Sequence, residues 1–238
     1  MITLLKLIDW ITDKCILLGC LFILLIASLG LYTNYFLYRN ASATNYKEYK
    51  KSDIDFKKLK KLNPEVIGWL EVKGTNIDYP LVQGKTNFDY INKSVEGDFS
   101  LSGSVFLDYR NQSTFNDAYS LIYAHHMAGD VMFGELPKFC ENNYFKSHTE
   151  ARIYLPDGSF KKISFFACVK ADAFDELIFN PTGIDEKEFI SLLAHIKEKS
   201  VQYREPKMAD LNQIVALSTC EDTETDGRIL VYGKILSN

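Results

Sequence analysis

Several features are missing from this sequence, and each absence excludes something. No two of its five cysteines, Cys15, Cys20, Cys140, Cys168 and Cys220, form a C-x-x-C pair, which argues against a structural zinc site. An odd count is also a poor disulfide framework. Cys15 and Cys20 fall in the apolar N-terminal segment. Cys140 and Cys168 read as core residues, because a thiol behaves as a small buried hydrophobe. A disulfide between them stays open if the domain lies outside the cell. Excess positive charge is missing too: the formal net charge is −4, which argues against a protein that tracks nucleic-acid phosphates. Repeats and low-complexity tracts are absent. Histidine is scarce, with four in 238 residues, so chemistry that needs an imidazole has few candidates.

Charge is absent between Lys14 and Arg39. The run "CILLGCLFILLIASLGLYTNYFLY" at residues 15–38 is long enough, at about 1.5 Å per residue, for the roughly 30 Å hydrocarbon layer. Tyr32, Tyr35 and Tyr38 cluster at one end, as at a headgroup interface. A cleaved signal peptide has a shorter apolar region, and "ASA" at 41–43 lies far behind a span of full length. The expected organisation is a short tail (1–14), a transmembrane signal-anchor helix (15–38), a helical stalk or N-terminal helices (39–62) and a larger β-rich domain (63–238). Flanking charge alone leans towards a cytoplasmic C-terminus: Asp9 and Asp13 offset Lys6 and Lys14, while Arg39, Lys47, Lys50 and Lys51 follow the span.

What is present suits a β-rich core. Hydrophobic residues make up 47% of the chain, and there are 14 tyrosines and 16 phenylalanines. Phe56, Leu59 and Leu62 recur at helical spacing in the basic stretch 44–62, whose first half also reads as a solvated stalk. From Val66 on, short β-branched and aromatic runs alternate with turns such as Pro156-Asp157-Gly158. They are "VIGWLEV", "IDYPLV", "GSVFLDYR", "YSLIYAHH", "EARIYLP", "FKKISFFACVKA", "QIVALSTC" and "RILVYGKIL". One helix is expected over 185–204, capped by Asp185 with Glu188 three residues on. The fold class is therefore mainly β, a closed barrel with N-terminal helices and one helix in the long connection before the cysteine strand.

The candidate chemistry lies at the end of "QIVALSTC". Pairing that strand antiparallel with "RILVYGKI" brings Cys220 and Arg228 to the same end of the sheet. A thiol near pKa ~8.5 needs a neighbouring histidine to react, and Arg supplies permanently charged donors for an oxyanion. His148, in a polar turn, and His195, in the helix, read as surface residues. His125 and His126 end the strand "YSLIYA". Read alone, such a pair is more often structural than reactive, and alternation would point the two to opposite faces.

"LSTC" followed eight residues later by Arg resembles the T-L-x-T-C…R signature of sortases, and "YAHHM" resembles their histidine motif. "NPEVIGWLEVKGTNIDYPLVQG" and "GSVFLDYRN" resemble the class B sortases, so the resemblance spans residues 63–238. Ala124 replaces the usual Gly, and Ala216 a frequent Thr. The resemblance implies an eight-stranded sortase-type barrel and a catalytic set of His125, Cys220 and Arg228, with Leu217, Ser218 and Thr219 touching substrate. It implies a cysteine transpeptidase anchored in the cell membrane with its catalytic domain outside. Its partners would be secreted proteins bearing a C-terminal sorting signal, a peptidoglycan precursor amine, and the lipid bilayer through residues 15–38. No cofactor and no metal are implied. The acidic loop "EDTETD" reads either as a solvated hairpin or as a device that steers a cationic amine. Three alternatives remain at this stage: a pilin-polymerising sortase that uses a lysine side chain, a non-catalytic surface adhesion domain on the same barrel, and a papain-like hydrolase. The last expects Cys before His at a helix N-terminus, and neither holds here.

Overall fold

The computed structural model describes residues 2–206, 211–220 and 226–236, without the side chains of Ile2 and Cys220. Two compact units divide the chain, Met1–Arg39 and Asn40–Asn238. The first is almost all of helix α1 (Ile2–Ala41). Its Thr3–Ala41 stretch reaches a mean hydropathy of 2.6, so it is long and apolar enough to cross a membrane. The expected span lies inside it, and residues 2–14 continue the same helix.

The second unit is a barrel. Its strands are β1 (Val66–Val72), β2 (Asp78–Val82), β3 (Val105–Leu107), β4 (Tyr119–Tyr123), β5 (Glu150–Tyr154), β6 (Phe160–Asp172), β7 (Ser200–Tyr203), β8 (Ile214–Cys220) and β9 (Gly227–Leu236). The sheet order is β5-β1-β2-β3-β4-β8-β9-β6-β7, and a further β5–β6 pairing closes eight of the strands into a ring. Strand β6 makes that closure. Its first residues pair with β5, and its later ones pair with β9 on one side and β7 on the other. The closed eight-stranded barrel expected from the sequence is therefore found, with β7 as an addition. The sequence pattern continues the helix to Arg204, but α4 (Glu186–Lys199) stops at Lys199. Ser200 takes extended dihedrals (φ −68, ψ 127), and the β-branched and aromatic residues after it pair along β6. The other end of α4 is as expected: Asp185 and Glu188 form a reciprocal capping box, with N–H···O distances of 2.8 and 3.0 Å.

Alternation along the strands produces two apolar layers. Residues such as Val215, Leu217, Ile229 and Val231 fill the barrel interior. Ile214, Ala216, Leu230 and Tyr232 face the other way and pack under Phe189, Leu192 and Ile196 of α4. Helix α3 (Asn142–Ser147) and a 3₁₀ turn at Leu136–Cys140 have no counterpart in the sequence reading. Cys140 and Cys168 meet as thiols, with sulfurs 3.3 Å apart.

Residues 43–62 form a 3₁₀ turn (Ala43–Tyr49) and helix α2 (Phe56–Leu62). They pack on the barrel instead of standing off as a solvated stalk. Tyr46 and Tyr49 are buried, and the Tyr46 ring meets Tyr79 edge-on. Lys50 fastens this segment: its ammonium lies 2.6 Å from both Glu71 and Asp78, and the Trp69 indole also donates to Asp78.

Burial pushes the Glu71 carboxyl up, but its bonds to Lys50 outweigh this and hold it below the usual value. A depressed carboxyl contributes stability above its unfolded pKa and loses it as pH falls through the folded one. Lys50→Met should therefore cost about 1–2 kcal/mol at neutral pH, less than a fully buried charged bond because water reaches both carboxylates. That corresponds to a Tm lower by about 2–8 °C for a unit of this size. The deficit should shrink as pH falls below the ordinary Glu range. Thermal melts across pH check this, and a deficit independent of pH would refute the ionic account.

Candidate active site

Strands β4 and β8 run parallel, in register from Tyr119↔Ile214 to Tyr123↔Ser218. Strand β4 ends at Tyr123, earlier than the sequence pattern suggests. Its tie to β8 continues for one more residue. Ala124 N donates to Ser218 O at 3.3 Å, and the Thr219 hydroxyl donates to Ala124 O at 3.0 Å. Carrying this register forward sets His125 level with Cys220. Strand β9 lies antiparallel on the other side of β8 and places Arg228 opposite Cys220. Cys220 and Arg228 are thus partners across β8 and β9, and the carried register sets His125, two residues past the end of β4, on the other side of position 220.

His125 and Arg228 both line a cavity of about 430 Å³, together with Ser218, Thr219, Ala124, Tyr123, Phe106, Ile91, Asn87, Phe88, Arg110, Ala173 and Phe179. The walls combine apolar and aromatic side chains with the polar groups of Asn87, Arg110, Ser218, Thr219, His125 and Arg228. His126 does not line this cavity; its backbone bridges to Met132. His125 Nε2 lies 2.8 Å from the Ile91 carbonyl. A carbonyl can only accept, so Nε2 carries a proton and Nδ1 is the nitrogen whose proton varies. Gly103 makes that contact fit: its φ is +59°, and a Cβ there would collide with the Ile91 and Tyr90 carbonyls.

The half-buried Arg228 donates from Nη1 to the Gly227 carbonyl at 3.0 Å. Among the described residues it forms no ion pair, Asp226 included. Glu221, Asp222 and Glu224 lie outside the described residues, so the acidic loop gains no structural account. Ser218 is buried, and its hydroxyl has no partner among the described residues. Leu217 is a correction to the expected substrate set. Strand alternation turns it into the barrel core with Val215 and Val231, fully buried and away from the cavity. His195 and His148 are not idle surface groups either. His195 Nε2 lies 2.7 Å from Asp175, and His148 stacks on Tyr144 at 3.8 Å.

Sequence reasoning missed the other walls. Asn87, Tyr123, Arg110 and Phe179 come from four separate stretches and share no spacing. Asn87, Tyr123 and Arg110 converge on Asp108, a fully buried residue just after β3, and the Phe179 carbonyl joins through Arg110. Burial pushes its carboxyl up, but Arg110 and Asn87 donate to it and hold it below the usual carboxylate range. The Tyr123 phenol beside it is pushed up by burial and by that carboxylate, so it stays a neutral donor. The signal available in the sequence was "LDYR", an acid and a base two residues apart at a strand end.

No family model matches the chain. Sortase B of Staphylococcus aureus is 31% identical over 183 residues, which is 76% of this chain and 74% of that protein. The chain belongs to the class B sortases. The crystal structure of a Streptococcus pyogenes class B sortase involved in pilus biogenesis is 57% identical, with a TM-score of 0.72, and covers 78% of this chain and all of that one. Sortase B from the type II pilus of Streptococcus pneumoniae is 37% identical, with a TM-score of 0.64, and covers 76% of this chain and 98% of that one. The barrel described above is thus the sortase fold, and the chain is a cysteine transpeptidase by family.

In this sortase the Thr219–Ala124 bond controls how the histidine strand meets the cysteine strand. Thr219→Val keeps the shape but leaves the Ala124 carbonyl without that donor, at a cost of about 1–3 kcal/mol of stability. If the catalytic set implied by the sequence holds, transfer should fall further than stability does, by about 10–10²-fold, because a small misplacement of a reacting group is costly. Kinetics beside thermal melts test this. Wild-type turnover in the folded variant would show that the bond does not position His125.

Proposed function

We propose that this chain is a membrane-anchored transpeptidase whose Cys220 thiolate attacks a backbone carbonyl within a sorting signal. Arg228 donates to the oxyanion that forms. His125, as imidazolium, protonates the leaving amine, and a thioacyl-enzyme results. His125 then accepts a proton from an incoming amine, which displaces the thiol and forms a new amide. No cofactor enters this sequence. Ser218 and Thr219 line the groove that receives the peptide. The observation that supports the reading is that His125 and Arg228 line one cavity, with Arg228 paired to position 220 across β8 and β9.

Residues 15–38 serve as the anchor, with the catalytic unit outside the membrane, where sorting signals and acceptor amines meet. A large C-terminal domain can cross despite flanking lysines, because charge bias is one input among several. A peptidoglycan precursor amine suits this chemistry as the acceptor. A second reading, a pilin lysine as acceptor, draws support from identity: the two pilus sortases are 57% and 37% identical, whereas the Staphylococcus aureus sortase B is 31% identical. Full-length protein in detergent, given a randomised peptide pool with either a peptidoglycan stem-peptide amine or a lysine-bearing pilin fragment, separates the two. Transfer only to the stem-peptide amine would remove the pilin reading, and no thioacyl adduct with any peptide would remove both.

His125→Ala should abolish transfer while His126→Ala retains substantial activity, since a general acid–base group contributes about 10²–10⁴-fold. The reverse ranking in folded variants would move the role to His126. Arg228→Lys keeps the charge but loses the planar fork, so kcat should fall by about 10²–10³-fold, as for other lost oxyanion donors. Near-wild-type kcat in that variant would leave only a general need for positive charge.

A further inference from the structure

The groove is assembled from stretches far apart in the chain, and one buried carboxylate joins three of them. Asp108 Oδ2 accepts from the Asn87 amide at 2.8 Å, from Arg110 Nη2 at 2.8 Å and from the Tyr123 hydroxyl at 3.1 Å. Oδ1 accepts from Arg110 Nε at 2.8 Å and from the Arg110 backbone N–H at 3.0 Å. Both carboxylate oxygens are therefore satisfied, and none of these bonds serves the barrel's own ladders.

Arg110 extends the web across the groove. Nη2 also donates to the Phe179 carbonyl at 2.8 Å, and Nη1 reaches the Asn180 side chain at 3.3 Å. Phe179 belongs to the connection between β6 and α4 and lines the same cavity as Asn87 and Tyr123. The Asn87 amide is held at its other end as well, since its oxygen accepts from Tyr109 N at 3.0 Å. A lysine at 110 could keep a charge beside Asp108. It could not hold the carboxylate with two parallel donors while also binding a carbonyl in the plane of the fork.

We infer that Asp108 and Arg110 form a positioning pair that sets the width of the peptide groove and orients the Asn87 amide, and so governs which extended peptides the enzyme accepts. Neither residue touches the reacting atoms, and neither moves a proton. The pair acts on the sorting signal through Asn87, Tyr123 and Phe179, and through Arg110 where it reaches the cavity wall. This inference rests on the reading of the cavity as the sorting-signal groove.

The test uses full-length protein in detergent. Wild type and the Arg110→Lys and Arg110→Ala variants each cleave a pool of randomised hexapeptides, read by mass spectrometry. Steady-state kinetics then follow with the single peptide that wild type cleaves best. Labelling of Cys220 by a methanethiosulfonate reagent reports the thiol without any peptide, and thermal melts report the fold. The expected result for Arg110→Lys is a KM raised about 10-fold or more with kcat changed by less than about 3-fold, since the pair shapes binding and not the chemical step. The profile of cleaved hexapeptides should broaden, and the labelling rate should stay at the wild-type value. Arg110→Ala should show the same split with a larger KM. A loss of stability alone, with KM and peptide profile unchanged in Arg110→Lys, would overturn the inference and leave the pair purely structural. An equal fall in kcat and in Cys220 labelling would overturn it as well, placing Arg110 in the chemistry. If wild type labels at Cys220 yet cleaves no hexapeptide, the groove reading itself fails and this inference with it. A cleaving wild type with indifferent Arg110 variants sinks only the inference.

Discussion

The parallel pairing of β4 with β8 is the constraint on which the site depends. Parallel strands end at the same end of a sheet, so the residues just past their C-terminal ends are neighbours although about ninety-five positions separate them in sequence. The register Tyr123↔Ser218 decides which residues those are. A slip by one residue would exchange core and outer faces for all of β8. Val215 and Leu217 would leave the barrel interior. The hydrophobic interior therefore protects the chemical register: the energy that buries Leu217 also places residue 220 beside residue 125. The antiparallel β8–β9 pair adds the arginine by the same logic, because Leu230 and Tyr232 are tied to the outer face under α4.

A second layer of organisation is polar. Buried carboxylates are costly unless every oxygen is satisfied. Asp108 meets that condition by recruiting donors from the loop after β2, from β4 and from Arg110. The same requirement makes the web all-or-nothing, because a half-satisfied network is worse than none. Groove geometry is thereby coupled to the folded state of the barrel. The Ile91 carbonyl contributes in another way. Its loop turns back through Gly103 and is braced by Asn63, Tyr90 and Glu65, so the acceptor that fixes the His125 tautomer is itself held in place.

Legibility in the sequence follows physical range. The two long strands around the cysteine were readable because their alternation is strict and their ends are marked by Cys220 and Arg228. The capping box of α4 was readable because it is local to four residues. The long apolar run at 15–38 needed only length and lack of charge. The C-terminal end of α4 was misread because "SVQYR" carries no breaker, and only the open edge of β6 makes a strand of it. Leu217 was assigned to substrate through its place next to Ser218 in a motif, whereas alternation sends adjacent residues to opposite faces. The web around Asp108 was invisible as a unit. Its donors come from positions 87, 110 and 123, and its acceptor carbonyl on the far wall from 179. No periodicity links such positions, and only the barrel's closure brings them together.

The long connection between β6 and β8 explains why a cavity exists at this end of the barrel at all. Helix α4 packs over the outer face of β8 and β9 where Ile214, Ala216 and Tyr232 lie, and it seals that part of the sheet. It stops short of the strand ends carrying Ser218 and Arg228. The segment leading into α4 passes alongside that uncovered stretch, and contributes Ala173 and Phe179 to the wall. The segment is pinned at three points: Ala173 N donates to Asp226 O at 2.9 Å, Asp175 meets His195, and the Phe179 carbonyl meets Arg110. The insertion thus does two jobs with one length of chain. Its helix completes the apolar packing that a barrel open on that face would lack. Its leading segment buries Ile178 in the same apolar layer and turns Ala173 and Phe179 to the cavity wall.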